Sequence, residues 1–188
     1  MIRGLLLCGG KASRFGADKL CVPIDGVPLA AHSARNLMQG AGNVLAVIPR
    51  GKARLRDILA ASGCEILESP DTTRGLGASL AAGVAASAGE QGWIVALGDM
   101  PFIQASTIAA VKDRIAKGAL IAAPVLRAGQ RGHPVGFARA LRDDLLSIDG
   151  DEGARSILAV HGASIALVEV DDPGILKDID TPGDLDRG

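Results

Sequence analysis

The sequence predicts an α/β protein in three layers: a mainly parallel sheet with helices on both faces, plus a β-hairpin excursion. Three observations predict it. Short aliphatic runs recur along the chain, segments of helical spacing fall between them, and one turn-rich segment breaks the alternation. With 188 residues, 48% of them hydrophobic, the chain can bury one sizeable core, so residues 1–188 read as a single domain.

The first run, Ile2 to Cys8, is apolar without alternation, as a strand covered on both faces should be. Runs of the same kind are Asn43 to Ile48, Glu65 to Leu67, Trp93 to Leu97, Leu120 to Ala123 and Ser164 to Val170. Helical spacing marks Leu29 to Met38, Leu55 to Ala61, Ala78 to Ala86, Thr107 to Ala116 and Ala154 to Val160. The break is PVLRAGQRGHPVGFARAL, where Arg127 to Gly132 separates two β-like stretches and predicts a hairpin projecting from the sheet.

Twenty basic residues against 21 acidic ones give a formal net charge of −1, so no global field recruits nucleic acid or an anionic membrane, and neither is an expected partner. Cys8, Cys21 and Cys64 show no paired metal-ligand spacing, and an odd number argues against a secreted disulfide framework. The opening MIRGLLLCGG has too short an apolar run for a signal peptide, and no segment reaches transmembrane length. A cytoplasmic protein is expected.

In an open α/β sheet, ligands collect at the carboxyl ends of the strands. The loop there in GLLLCGGKASRFGADKL has Gly9 and Gly10, where backbone N–H groups can approach a ligand closely, followed by the cations Lys11, Arg14 and Lys19. That combination suits a polyphosphate; a tight turn with solvated bases is the plainer alternative. A P-loop is excluded, because Gly16 is followed by Ala17-Asp18 rather than Lys-Ser/Thr, and Gly9-Gly10-Lys11 does not supply G-x-G-x-x-G. RGLGASL starts the latter pattern but carries Leu80 where the third glycine belongs.

Asp99, in GDMPF, stands at the carboxyl end of an apolar run, where a carboxylate can hold Mg²⁺ or cap the following helix. In DIDTPGDL, Asp178 and Asp180 share a face if the stretch is extended, while Asp180 or Thr181 before Pro182 also makes a good helix cap. SPDTTRGLGASLAAG joins a glycine-rich loop to a helix N-terminus, with Ser79 as cap or ligand contact. RGHPVGF and GDEGAR contribute His133 and Arg155; a lone histidine is often packed, whereas arginine binds phosphate bidentately.

LCGGKASRFGADK resembles the L-[AG]-[AG]-G-x-[ST]-x-R-[MF]-G-x-x-K loop of the nucleoside-triphosphate-dependent nucleotidyltransferases, and within them the molybdenum-cofactor cytidylyl- and guanylyltransferases. RGLGASL, GDMP, RGHPVGF, GDEGAR and DIDTP match that family in order, the whole resemblance running from Leu5 to Leu185. The resemblance implies a Rossmann-like nucleotidyltransferase fold and a Mg²⁺-dependent enzyme. Such an enzyme transfers a nucleoside monophosphate from CTP or GTP to the terminal phosphate of molybdopterin. It implies Lys19, Arg14 and Asp99 as catalytic residues, and Asp99 and Asp180 as metal ligands. The implied nucleotide contacts are Leu7, Cys8, Gly9, Gly10, Lys11, Arg14, Lys19, Arg74, Gly75, Ser79, Gly98 and Asp99. His133 and Arg155 would face the acceptor, and a recipient molybdoenzyme or its chaperone is an implied partner.

RFGADK, RGLGASL and RGHP favour CTP, whereas the double glycine Gly9-Gly10 is closer to the guanylyl form, and Cys8 departs from the usual alanine. Three other functions fit parts of the pattern: a transferase for another sugar or alditol phosphate, a nicotinamide-dependent oxidoreductase on the same scaffold, and a carrier that delivers molybdopterin without turnover.

Overall fold

The computed structural model describes residues 1–9, 18–181 and 183–184. From the N-terminus come β1 (Ile2–Leu7), a 3₁₀ turn (Lys19–Cys21), a small hairpin of β2 (Pro23–Ile24) and β3 (Val27–Pro28), and α1 (Leu29–Ala41). Then follow β4 (Val44–Pro49), α2 (Ala53–Ala61), β5 (Glu65–Ser69), a 3₁₀ turn (Pro70–Thr73), α3 (Leu76–Ala86), β6 (Gly92–Leu97) and α4 (Ala105–Ala116). The remainder is β7 (Ile121–Val125), β8 (Val135–Ala138), α5 (Arg142–Leu146), α6 (Arg155–Val160), β9 (Ile165–Glu169) and a 3₁₀ turn (Pro173–Leu176).

The main sheet has seven strands in the order β5-β4-β1-β6-β8-β7-β9. Its pairings are parallel except those of β8, which is antiparallel to both β6 and β7. The chain builds outward from β1 through β4 to β5, then returns to place β6 on the other side of β1. That reversal opens a crevice at the carboxyl ends of β1 and β6.

Alternation along each strand feeds two cores. Leu6 on β1 and Cys8 just after it join the core under α1, α2 and α4, with Leu37, Leu55 and Ile108. Leu5 and Leu7 join the core under α3, α5 and α6, with Leu80, Leu145 and Ile157. Both faces are covered, which is why the strand reads as an uninterrupted apolar run. Each fully buried Leu or Ile side chain contributes about 1.5–3 kcal/mol.

The predicted hairpin forms between β7 and β8, yet its second arm does not project. β8 is inserted between β6 and β7, with Val95 opposite Val135 and Ile121 opposite Phe137. Phe137 is 1% exposed and Val135 6%, and a strand apolar on both faces gains most from an interior position. The β2–β3 hairpin and the short α5 were not anticipated. Asp25-Gly26 carries the first, both residues having positive φ (49° and 79°) as a type I′ turn requires. No helix among the described residues is long and apolar enough to cross a membrane.

Candidate active site

The crevice contains a cation between two carboxylates. Lys19 Nζ lies 3.0 Å from Asp99 Oδ2 and 2.9 Å from Asp180 Oδ1. Three distant segments meet there: the 3₁₀ turn at Lys19, the loop after β6, and the stretch after the Pro173–Leu176 turn. Lys19 is 7% exposed. Burial opposes its charge, but the hydrogen bond it donates to Asp180 and the field of Asp99 outweigh it and raise its pKa above the ordinary 10.5. Asp178 is pushed upward chiefly by burial, with Asp180 and Asp99 adding to the effect.

The loop carrying Asp99 is fixed from several directions. Gly98 N–H donates to the Leu7 carbonyl at 2.9 Å, continuing the β1–β6 ladder past its last pair. From α1, Ser33 Oγ donates to the Gly98 carbonyl and Asn36 Nδ2 to the Pro101 carbonyl, each at 2.9 Å. Ile179 N–H donates to the Asp99 carbonyl at 3.0 Å, which brings Asp180 alongside. Ser33 and Asn36 were missed because nothing local in helix α1 marks them as partners of residues 65 positions away.

Leu7 and Cys8 are 3% and 5% exposed, with side chains in opposite cores, which leaves the backbone as their contribution to the crevice. Burial pushes the Cys8 thiol well above its ordinary range, so it stays protonated and inert. Gly9 ends the first described stretch; a Cβ there would fall 2.7 Å from Ser79 Oγ and 3.0 Å from Thr72 Cβ. Ser79 is fully buried and donates to the Gly75 carbonyl at 2.9 Å, so its hydroxyl braces α3 beneath Gly9. Gly98 is equally confined, since a Cβ would sit 2.8 Å from Cys8 Sγ. Gly10, Lys11 and Arg14 lie outside the described residues.

Arg74 is exposed and holds Asp149 at 2.6 Å and Asp71 at 3.1 Å. Those hydrogen bonds, that to Asp149 foremost, raise the arginine pKa and lower that of Asp149. Gly75, at φ +129°, has no room for a side chain beside Asp151 and Gly150, and Gly77 N–H donates to the Gly150 carbonyl at 2.8 Å. The 149–151 loop therefore packs on the start of α3, joining the two elements that carry Arg74 and Arg155.

His133 stands just before β8. Its pKa is lowered by burial, against the field of Asp99 and a hydrogen bond to the Val95 backbone. Its Nδ1 is buried and has no hydrogen-bond partner among the described residues. Arg155 opens α6 with an exposed side chain. A cleft of about 320 Å³ beside it is lined by Asp144, Asp149 and Glu152 together with Ile157 and His161, an acidic wall unsuited to a phosphate.

The carboxylates fit a divalent ion that takes one or two protein ligands and completes its shell with phosphate and water. Asp99 and Asp180 already converge on one cation, the Lys19 ammonium. Among the described residues no group of three or more His, Cys, Asp or Glu forms a closed metal cage.

The fold is the Rossmann-like fold of the nucleotidyltransferases. Residues 4–166 match the MobA-like NTP transferase domain, and the chain belongs to that family. It is 27% identical over 190 residues to nicotine blue oxidoreductase of Paenarthrobacter nicotinovorans, covering 96% of this chain and 92% of that protein. It is also 27% identical over 195 residues to the purine catabolism protein PucB of Bacillus subtilis (strain 168), covering 97% and 93%. Among solved structures, Rv0371c from Mycobacterium tuberculosis H37Rv superposes with a TM-score of 0.85 at 24% identity, over 99% of this chain and 95% of that one. The same protein complexed with manganese gives 0.81 at 22% identity, over 99% and 96%.

Proposed function

We propose that this protein transfers a nucleoside monophosphate, CMP in preference to GMP, from the triphosphate to the terminal phosphate of molybdopterin, releasing pyrophosphate. The observation that carries the reading is the Lys19 ammonium held between Asp99 and Asp180 at the carboxyl ends of β1 and β6. A cytoplasmic setting agrees with three buried, unpaired cysteines.

An oxygen of the acceptor phosphate attacks the α-phosphorus, and the bond to the bridging oxygen breaks as pyrophosphate leaves. The acceptor oxygen is already ionised near neutral pH, so no strong general base is needed. Catalysis then consists of in-line positioning and charge neutralisation. Asp99 and Asp180 would hold Mg²⁺, which supplies charge neutralisation on phosphate oxygens when bound. Lys19 turns its N–H donors to the α-phosphate, and the Gly9 backbone with Arg14 holds the β- and γ-phosphates. The manganese complex of Rv0371c supports a divalent ion in this fold.

The glycine at position 9 does not argue for GTP. Thr72 and Ser79 occupy the space that a methyl group would need, so packing accounts for Gly9 whatever base is bound. The remaining cytidylyl-like elements then favour CTP. Incubation of the pure protein with molybdenum cofactor, Mg²⁺ and each of the four NTPs, followed by mass analysis of the pterin, tests the proposal. A cytidylyl-pterin adduct is expected. Cofactor binding with no adduct would indicate a carrier, and hydride transfer without pyrophosphate release an oxidoreductase.

A further inference from the structure

Asp172 is 2% exposed, and its carboxylate ties the start of α4 to the Pro173–Leu176 turn. Its Oδ2 accepts from Gln104 N–H at 2.9 Å and from Thr107 Oγ1 at 2.7 Å, while Oδ1 accepts from Gly174 N–H at 3.0 Å. Gln104 is the cap position of α4, and its own side chain caps nothing. The helix that follows the Asp99 loop is thus capped by a carboxylate 68 residues away.

From Asp172 the chain is threaded through a narrow path. Gly174 passes so close to the Phe102 carbonyl that a Cβ would not fit, and Gly132 passes Ile175 in the same way. His133 N–H donates to the Ile175 carbonyl at 3.0 Å, and Ile179 N–H to the Asp99 carbonyl at 3.0 Å. The path ends with Asp180 on Lys19. A cap serving α4 alone would come from a local Ser, Thr or Asp at position 104. Here the cap residue belongs to the segment that delivers the second carboxylate.

We infer that Asp172 is a positioning residue for the Asp99–Asp180 pair, setting where Asp180 stands relative to Lys19 and Asp99. The inference rests on the reading of that pair as the metal-binding carboxylates. Asp172→Asn replaces one acceptor oxygen by a donor and must lose part of the junction.

The test uses Mn²⁺ as probe, titrated into the full chain with CTP and followed by the electron paramagnetic resonance of free Mn²⁺, with pyrophosphate release measured in parallel. D172N is expected to weaken Mn²⁺ binding about 10–100-fold, as loss of a partner behind a metal ligand does. D180A should weaken it comparably, and D172N/D180A should bind no more weakly than D180A alone, because both changes act through one carboxylate. Wild-type affinity in D172N, or effects that multiply in the double variant, would overturn the inference. Should D172N fail to fold, T107V, which removes one donor to Asp172, decides by the same comparison, alone and with D180A. If the wild type releases pyrophosphate but binds no Mn²⁺, the metal reading fails and the inference with it. If it does neither, the nucleotidyltransferase reading fails first.

Discussion

Lys19 and Asp99 are 80 residues apart in sequence and 3.0 Å apart in space. Asp180, 161 residues from Lys19, completes the contact. The ammonium neutralises two carboxylates that would otherwise repel each other across the crevice.

Lys19→Met should therefore lower both rate and stability. A loss of about 10²–10³ in kcat is expected for removal of a charged donor aimed at the reacting phosphate. The stability loss is set near 1 kcal/mol because Asp180 is 55% exposed and partly solvated. The folded pKa of Lys19 is raised, so its contribution is fully present below the ordinary 10.5 and is lost as pH rises through the folded value. Urea denaturation of both proteins at pH 7 and 11 should show the difference shrinking at the higher pH; an unchanged difference would refute the assignment.

Asp99→Asn should separate rate from stability. Asp180 still engages Lys19, and the loop is held by Ser33, Asn36 and Ile179 through backbone carbonyls that the substitution leaves intact. A melting temperature within a few degrees of wild type is expected, with pyrophosphate release down at least about 10²-fold. Near-normal turnover with Mg²⁺ would show that Asp99 holds no metal.

Gly9→Ala should destabilise by about 1–3 kcal/mol through crowding against Ser79 and Thr72. The ratio of CTP to GTP use should stay as in wild type. On a Ser79→Ala background the same change should be milder, because the nearest atom is gone. A selective gain or loss of one nucleotide in the single variant would instead place Gly9 in base recognition.

His133 carries an acid-side prediction. Its folded pKa lies below the ordinary 6.5 because burial disfavours the charged ring. The unfolded chain then binds a proton that the folded chain refuses, so stability falls as pH drops below about 6.5. His133→Asn, which keeps a donor for the Val95 carbonyl, should flatten the fall in melting temperature between pH 7.5 and 5.5. An equal fall in both proteins would assign the acid sensitivity elsewhere.

Much of the sheet was legible because a strand buried on both faces has no polar positions to confuse its reading, as Leu5 to Cys8 and Val44 to Ile48 illustrate. Strand order was not. Nothing local in Val135-Gly136-Phe137 says that it pairs with β6, whose residues lie about forty positions earlier. At the crevice, Lys19 and Asp99 stand in local patterns that anticipate an anion and a cation. Asp180 was legible only as one of two competing readings, cap or ligand; its carboxylate engages Lys19, while Asp184 accepts from the Asp180 and Thr181 N–H groups at 3.1 and 2.8 Å. Asp172 gave no signal, since its partners Gln104 and Thr107 form an ordinary helix start and lack only a local cap.

The inserted strand has a consequence for how the molecule is made. Until residues 135–138 emerge from the ribosome, the flank of β6 that they will cover is a bare row of amide and carbonyl groups beside Trp93 and Val95. An interval in synthesis is therefore built into the topology during which this nascent chain offers a template for mispairing. Slowing translation between β6 and β8 should raise the insoluble fraction more than slowing it elsewhere.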